Sequence, residues 1–204
     1  MIFFGLYIPT PVIVSLLGII SGAIGYFVKI LMDKKKNLDK IERVKRNITK
    51  SKQIVGKLQQ ILEITNSDRV SITVLHNGGV FFNKKGQKVE FTKGSMIYEV
   101  VSSGISIENM EFKDVLLPPF SDHFMPFFDE KRYSIDTNDT KNPTTWKNYL
   151  YTKGVKNDYG FVIENIEGSI FGFVRVSFIK NKMKLTDEQM DEIEKLSYLV
   201  SGYL

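Results

Sequence analysis

The sequence contains no cysteine, only two histidines and a single tryptophan. The missing cysteines exclude disulfide bonds, cysteine nucleophiles, thiolate zinc sites and iron–sulfur clusters. The two histidines, His76 and His123, show no H-x-x-x-H or E-x-x-H spacing, the pattern that places metal ligands on one face of a helix. We therefore predict no metal site.

Catalytic signatures are missing as well. Gly78-Gly79 does not belong to a G-x-x-x-x-G-K-[ST] phosphate loop, and no G-x-S-x-G or paired-carboxylate pattern occurs. His76 has no nucleophile or acidic partner near it in the sequence, so a role as general acid or base has little support. We expect that the protein is not an enzyme and has no catalytic residue.

Charge is absent from the amino-terminal end. No charged residue occurs in residues 1–28, and residues 11–32 read PVIVSLLGIISGAIGYFVKILM. About 20 apolar residues in a helix cross a hydrocarbon core of roughly 30 Å. We therefore predict that residues 1–32 form a transmembrane anchor. A cleaved signal peptide fits less well, because the basic cluster follows the apolar run instead of preceding it.

The basic residues after this segment predict its orientation. Between Lys29 and Lys57 the chain has eleven Lys or Arg and three Asp or Glu. Because basic flanks stay on the cytosolic side, we predict a single-pass protein of the inner (cytoplasmic) membrane with its N-terminus outside and its larger C-terminal part in the cytosol. Gly18 and Gly22 form a G-x-x-x-G pattern, which favours close pairing of membrane helices.

The distribution of charge argues against nucleic acid as a partner. Residues 58–204 carry seventeen basic and twenty acidic side chains, so the net charge of +5 comes from the segment before them. A nucleic-acid-binding domain carries its basic surface on the fold itself. We predict membrane lipid as a partner and no nucleic acid.

Residues 33–66 predict one long basic juxtamembrane helix, since they contain no proline and a single glycine. Apolar residues recur in heptads, with a positions at Ile41, Ile48, Val55 and Leu62 and d positions at Val44, Ser51, Leu58 and Thr65. β-branched residues at a suit a parallel two-stranded coiled coil, which predicts a homodimer. In the alternative, residues 54–64 pack against the following sheet and the basic first half lies at anionic lipid headgroups. Both arrangements are compatible with one helix.

Residues 67–204 alternate between strand-like and helix-like patterns. Strands are predicted at residues 69–76, 88–101 (interrupted near Lys93-Gly94), 159–165 and 169–180, and helices at residues 121–128 and 142–153. Asn77-Gly78-Gly79 predicts a turn that ends the first strand. Thr186 and Gln189 have capping-box spacing and predict the start of the last helix. The remainder of residues 102–141 is predicted to be irregular.

The second half of this region resembles GAF domains. Residues 154–163 read GVKNDYGFVI, residues 169–178 read SIFGFVRVSF, and residues 185–190 read LTDEQM. The C-terminal half of GAF domains has a similar order: a G-V segment entering a strand, a hairpin, an I-x-G-x-V-x-V strand and a threonine-capped helix. In the first half, DRVSITVL at residues 68–75 follows a long helix in the same way. The resemblance covers residues 51–204, and PAS domains share this general architecture.

The resemblance implies an α/β (α+β) fold with a central antiparallel sheet of five or six strands. One face would be covered by the first and last helices, and the other by residues 102–153, where GAF domains keep their ligand pocket. The candidate pocket residues are His76, Asn77, Met96, Tyr98, His123 and Trp146. The alternative explanation for Trp146 and its aromatic neighbours is that they form part of the core. The alternative for His76 is that its ring hydrogen-bonds a backbone carbonyl of the turn after its strand. The cofactor stays unknown: covalent bilin attachment and GAF-like methionine sulfoxide reductases use cysteines that are absent here, and the cyclic-nucleotide motif is not intact.

The sequence thus predicts three parts: a transmembrane anchor (1–32), a juxtamembrane helix (33–66) and a GAF-like domain (67–204). The predicted function is a membrane-anchored sensory or ligand-binding module for signalling, without an effector domain of its own. The alternative is a degenerate GAF-like scaffold that binds a protein partner at the inner membrane, as a bacterial or phage accessory protein.

Overall fold

The computed structural model describes residues 2–3, 6–7, 10–82, 88–165 and 167–204, with side chains described for residues 21–22, 24–77, 92–165 and 167–204. The chain divides into two compact units, Met1–Thr49 and Lys50–Leu204. In the first unit, strands β1 (Ile2–Phe3) and β2 (Leu6–Tyr7) pair in antiparallel fashion and precede helix α1 (Thr10–Thr65), whose last turns belong to the second unit.

The structure describes only part of the predicted transmembrane anchor, residues 1–32. Side chains up to residue 20, including Gly18 of the G-x-x-x-G pattern, lie outside the described residues. Among the described residues, no helix combines the length and the apolar content that crossing a bilayer requires. Membrane anchoring therefore stays a prediction.

Helix α1 confirms the long helix predicted over residues 33–66. It ends where Asn66 adopts a left-handed conformation, with φ of 51°. The Ser67 amide donates to the Leu62 carbonyl oxygen at 3.3 Å and so satisfies a carbonyl of the last turn, while the Thr65 hydroxyl donates to the Ile61 carbonyl oxygen at 2.7 Å. The chain then enters the first strand of the sheet within three residues.

The C-terminal part of α1 packs against the sheet, as one of the two sequence interpretations predicted. Ile54, Leu58, Ile61 and Leu62 are buried in one cluster with strand residues. Leu58 and Leu62 are heptad positions. From Leu58 onwards, the heptad face of α1 is therefore buried against the sheet of the same chain and not exposed to a second helix. The predicted parallel pairing involves a second chain and stays a prediction.

The second unit is built on a six-stranded antiparallel sheet, which confirms the predicted architecture. In chain order its strands are β3 (Arg69–Phe82), β4 (Lys88–Val101), β5 (Val115–Leu116), β6 (Arg132–Asp136), β7 (Asn157–Glu164) and β8 (Ile170–Phe178). Their spatial order is β5-β4-β3-β8-β7-β6. The helices are α2 (Ser121–Glu130), α3 (Thr145–Thr152) and α4 (Asp187–Ser201).

One face of the sheet is covered by α1 and α4. Alternate strand residues such as Val70 and Ile72 of β3 point to this face, because successive side chains of a strand face opposite sides. Ile193, Leu196 and Val200 of α4 complete the layer. The predicted capping box is present at the start of α4: the Thr186 hydroxyl accepts from the Gln189 amide, and the Gln189 side chain accepts from the Thr186 amide.

The other face is covered by residues 102–153, which hold β5, a 3₁₀ turn (Pro118–Phe120), α2, β6 and α3. Asp122 ties the two helices together, since its carboxylate accepts from the Thr145 amide at 2.7 Å at the start of α3. This favours the α3 N-terminus, where unpaired amides and the helix dipole attract an anion. The layer positions several aromatic side chains above the centre of the sheet.

Two details differ from the predictions. The expected turn at Asn77-Gly78-Gly79 is wrong: β3 continues to Phe82, and its pairing with β4 shifts between Asn77 and Val80. Glycines accommodate such a bulge as readily as a turn. Strands β5 and β6 also lie inside the segment predicted to be irregular. They have only two and five residues, too few for a clear alternation of apolar and polar positions.

Candidate functional site

A row of mostly polar residues crosses the sheet on the face opposite α1 and α4. Residues opposite one another in neighbouring strands form this row, which runs Glu99, Ser71, Arg175, Gly160 and Tyr133 from β4 to β6. A second row beside it contains Arg69, Ser177 and Asp158. Ionic residues are rarely found in a domain interior unless they are paired, so this face is unusual for a packed core.

Arg175 and Asp158 form the centre of this polar face and are almost completely buried. The Arg175 Nη2 donates to Asp158 Oδ1 at 3.3 Å. Burial lowers the pKa of the guanidinium, but the opposing effects, of which the Asp158 carboxylate is the largest, together raise the pKa above its ordinary value. Asp158 also accepts from the Ser177 hydroxyl at 2.5 Å. The guanidinium is therefore held in its charged form.

Tyr133 connects the edge strand β6 to this pair. Its hydroxyl donates to Asp158 Oδ2 at 2.5 Å. The ring crosses Gly160, where a side chain would collide with it. Burial, together with the negative charge of Asp158, raises the pKa of the Tyr133 hydroxyl well above its ordinary value. Tyr133 is therefore a neutral hydrogen-bond donor at any physiological pH.

Aromatic side chains from residues 112–149 cover the polar face. Trp146 of α3 is fully buried, and the Arg175 guanidinium lies 5.0 Å from the centre of its ring. Such a cation–π contact stabilises a buried guanidinium without adding a hydrogen bond. The other members of the aromatic layer are Phe112, Phe120, Phe124, Phe127 and Tyr149, and Phe173 of β8 contacts the layer from the sheet.

His123 of α2 stands between the aromatic layer and the polar face. Its ring stacks on Trp146 at 5.9 Å and meets the edge of Tyr133 at 4.5 Å. Burial lowers the pKa of the imidazole to about 4, and the nearby Asp158 carboxylate offsets only part of this effect. His123 is therefore neutral at pH 7, with one nitrogen able to accept and the other to donate.

Several buried polar atoms on this face have no hydrogen-bond partner within the described part of the chain. They are Ser71 Oγ, Thr73 Oγ1, His123 Nε2 and Arg175 Nη1. Leaving a buried polar group unsatisfied costs about 1–3 kcal/mol. Such atoms are satisfied when a water or a small polar molecule enters the layer.

A cleft of about 390 Å³ opens beside this layer, between α2, β6 and the start of α3. Its lining includes the aromatic His123, Phe127 and Tyr133, the buried Lys147 and the exposed Asp139. The volume lies in the range of small-molecule sites, which combine apolar walls with a few polar groups. A molecule in the cleft would contact Tyr133, whose hydroxyl is hydrogen-bonded to Asp158 of the buried ion pair.

A second buried ionic group closes the far side of the layer. Arg69 pairs with Glu99 at 2.8 Å and with Glu108 at 3.0 Å. Glu99 also accepts from the backbone amides of Glu108 and Asn109, both at 2.9 Å. These contacts fasten residues 102–109 to the sheet.

The structure brings together three of the six candidate pocket residues: His123 and Trp146 lie in the layer over the polar face, and Met96 of β4 belongs to the same buried cluster as Trp146. Tyr98 faces α1 instead and hydrogen-bonds Ser51 at 2.9 Å, because a bulge between Met96 and Tyr98 reverses the alternation. His76 Nε2 lies 2.9 Å from Ser95 Oγ, and Asn77 is exposed.

Sequence reasoning missed Tyr133, Asp158 and Arg175. One signal was available: Arg175 interrupts the apolar strand FGFVRVSF at a position that a buried sheet leaves apolar. A charged residue there indicates a buried partner, but the sequence does not identify it. The arrangement suits binding through hydrogen bonds. Among the described residues, no three His, Asp or Glu side chains are placed to hold a metal ion.

No protein-family model matches the sequence, and no curated protein matches it. Solved structures do match. The blue-light absorbing form of the PixJ GAF domain of Thermosynechococcus elongatus is 14% identical, with 76% of this chain and 84% of that chain covered and a TM-score of 0.55. A far-red cyanobacteriochrome photoreceptor is 17% identical, with 84% of this chain and 94% of that chain covered and a TM-score of 0.55. The GAF domain of a two-component sensor histidine kinase from Bacillus halodurans is 14% identical, covering 74% and 90%, with a TM-score of 0.50. These likenesses show that the chain carries a GAF fold.

Proposed function

We propose that this chain is a membrane-anchored sensory module that binds a small polar molecule between its sheet and the α2–α3 layer. The observation that carries the proposal is the buried polar face with unsatisfied atoms at Ser71, Thr73, His123 and Arg175. A scaffold kept only for stability has no need of such a face, since apolar side chains of similar volume are often equally stable or better.

Tyr133 is the residue through which binding would be sensed. It lines the cleft and donates to Asp158, which joins β7 to β8 through Ser177 and Arg175. The neighbouring residues of those strands, Tyr159 and Val176, face the α1–α4 side. A ligand that favours one position of Tyr133 would bias the packing of the helices, provided that it binds the two states with different affinity.

The ligand test uses the full-length chain purified in detergent. Co-purifying molecules are released by denaturation and identified by mass spectrometry, and thermal shifts are recorded with a metabolite panel. We expect a bound molecule in the wild type that is reduced in Tyr133→Phe and Arg175→Met. Tyr151→Phe, at an exposed tyrosine of α3, is the control and should retain it. No bound molecule and no thermal shift in any of these proteins would contradict ligand sensing.

Anchoring in the inner membrane is part of the proposal and is supported by the uncharged residues 1–28 with their basic flank. The full-length chain should sediment with membranes and resist alkaline carbonate, but dissolve in detergent. Recovery of the intact chain in the supernatant without detergent would contradict the anchor while leaving the ligand site untouched.

A second candidate function is a scaffold for a protein partner. Its support is the aromatic layer itself, because Trp146, Phe112 and Phe173 are fully buried and fill the space above the sheet. Photocrosslinking from surface positions of the membrane-bound chain, followed by mass spectrometry, tests this role. A stable partner together with an empty cleft would favour the scaffold over the sensor.

A further inference from the structure

An apolar stripe on helix α1 is exposed within the first unit. Ile41, Val44 and Ile48 leave 52%, 49% and 63% of their surfaces accessible. At 100° per residue these three side chains fall within a sector of roughly 60°, so they form one continuous ridge. Leu38 extends the ridge on one side and is also exposed. This surface has no role in the ligand site described above.

Lysines flank the ridge on both sides. Lys40 and Lys45 line a shallow groove together with Asn37, Ile41 and Val44. Neither lysine forms an ion pair with any residue that the structure describes. Helical geometry places Asp39 on the opposite side of the helix from the ridge, and Glu42 about 100° around the axis from Ile41. The groove is therefore apolar at its base and basic at both edges.

Self-pairing through this ridge brings like charges together. In a parallel coil of two copies, Lys40 at a g position of one helix meets Lys45 at an e position of the other, and this happens twice. Like-charged flanking pairs disfavour such a coil, whereas acidic residues on a different helix would pair with both lysines. In the second unit, Leu58 and Leu62 are buried against the sheet of the same chain. The coiled coil therefore cannot extend through these positions to offset the repulsion between the lysines.

A lipid surface fits the ridge less well than a helix does. Helices that lie in a membrane interface use a broad apolar face with bulky side chains such as Trp and Phe. Residues 33–65 contain no aromatic residue, and the ridge consists of the β-branched Ile41, Val44 and Ile48 with Leu38 beside them. Ile and Val at this spacing are knobs for the holes of a facing helix.

We propose that the Ile41–Val44–Ile48 ridge of α1 binds an acidic amphipathic helix of another protein. The partner would present an apolar stripe flanked by Glu or Asp, which pair with Lys40 and Lys45. The inference does not depend on the ligand site, so failure of either leaves the other standing.

The test uses the full-length chain in phosphatidylcholine nanodiscs and two designed helical probes of 21 residues. Both probes carry the same Ile and Leu stripe, flanked by Glu in one probe and by Lys in the other, so that each repels itself equally. Fluorescence anisotropy should show the Glu probe binding about tenfold more tightly at low salt. The difference should shrink in high salt, which screens exposed charges.

Two charge-reversal variants make the test specific. Lys40→Glu/Lys45→Glu should invert the preference towards the Lys probe. Lys35→Glu/Arg46→Glu changes the same number of charges on the opposite side of the helix and should keep the wild-type preference. Equal affinity for both probes, or an unchanged preference in the first variant, would overturn the proposal.

The competing occupants have their own readouts. Because the chain has no cysteine, Val44→Cys introduces a single thiol. Oxidative crosslinking of this variant to itself in detergent, unaffected by the Glu probe, would identify a second copy as the occupant and refute the proposal. Loss of probe binding when phosphatidylserine is added to the nanodiscs would do the same in favour of the membrane. Probe binding that survives both tests supports a helical partner.

Discussion

The ring of Tyr133 occupies the space where a side chain of Gly160 would stand. The two residues are direct partners across β6 and β7, and a Cβ atom on Gly160 would lie 2.0 Å from Cε1 of Tyr133. The absence of that atom lets the ring lie across the neighbouring strand and reach Asp158. One glycine therefore positions the residue that joins the cleft to the buried ion pair.

Gly160→Ala should displace the Tyr133 ring and weaken its hydrogen bond to Asp158. Overpacking and the lost bond together predict a loss of about 2–4 kcal/mol in the free energy of unfolding. Urea unfolding followed by fluorescence of the single tryptophan, Trp146, measures the change. Gly56→Ala is the control: a Cβ there meets nothing within 4 Å, so the helix should gain up to about 1 kcal/mol. Equal effects at the two glycines would refute the steric argument.

Arg175→Met should destabilise the domain by about 3–5 kcal/mol, because it leaves the Asp158 carboxylate buried without its cation. Asp158→Asn in the same chain should restore part of the loss, so that the double variant is more stable than the sum of the single variants predicts. Arg132→Met removes a largely exposed pair with Glu194 and should change stability by less than about 1 kcal/mol. Additive effects at Arg175 and Asp158 would mean that the two side chains do not interact.

Protonation of His123 should make the domain less stable in mild acid. The pKa of this imidazole is lowered to about 4 by burial, against an unfolded value near 6.5. Between these values the unfolded chain binds the extra proton, so stability is complete above pH 6.5 and falls as the pH drops towards 4. The expected loss is about 3 kcal/mol.

Urea unfolding at pH 7, 6 and 5 measures this slope. His123→Phe keeps an aromatic ring in the layer without a titrating nitrogen, and the difference between wild type and variant isolates the histidine from the carboxylates. Parallel curves for the two proteins between pH 7 and 5 would show that His123 is not the source.

Glu99→Gln should loosen residues 102–109. The substitution removes the charge that pairs with Arg69 and weakens the two bonds from the amides of Glu108 and Asn109. Amide hydrogen exchange of residues 108 and 109 should become roughly tenfold faster, as a loss of about 1.4 kcal/mol in local stability predicts. Glu111→Gln breaks an exposed pair with Lys153 and should leave these two amides unchanged.

Local sequence signals predicted the elements whose cause is local. The Thr186 and Gln189 capping box fixed the start of α4, and the β7–β8 hairpin was placed to within two residues. Irregularities in β4 were harder to foresee. Met96 and Tyr98 have the spacing of one face, but the bulge between them sends Tyr98 towards α1. The pairing of β4 with β3 determines the position of this bulge, and no local sequence pattern indicates it.

The polar face was beyond sequence reasoning for a different reason. Asp158, Arg175 and Tyr133 lie on three strands, and only the order β8-β7-β6 makes them neighbours. Single residues of these types on separate strands have no motif spacing. Two of the three candidates that come together there, His123 and Trp146, belong to residue types that are rare in this chain.

The central strands serve two buried layers at once, with Val176 and Arg175 on opposite sides of β8. If β8 slipped by one residue along its neighbours, the guanidinium would enter the aliphatic layer under α1 and α4 without a counter-ion, while Val176 would face Asp158. Such a misalignment is far more unfavourable than the same slip between two apolar faces. The buried charges in the middle of the sheet therefore specify one register of the β7–β8 hairpin, independently of their contribution to the free energy of unfolding.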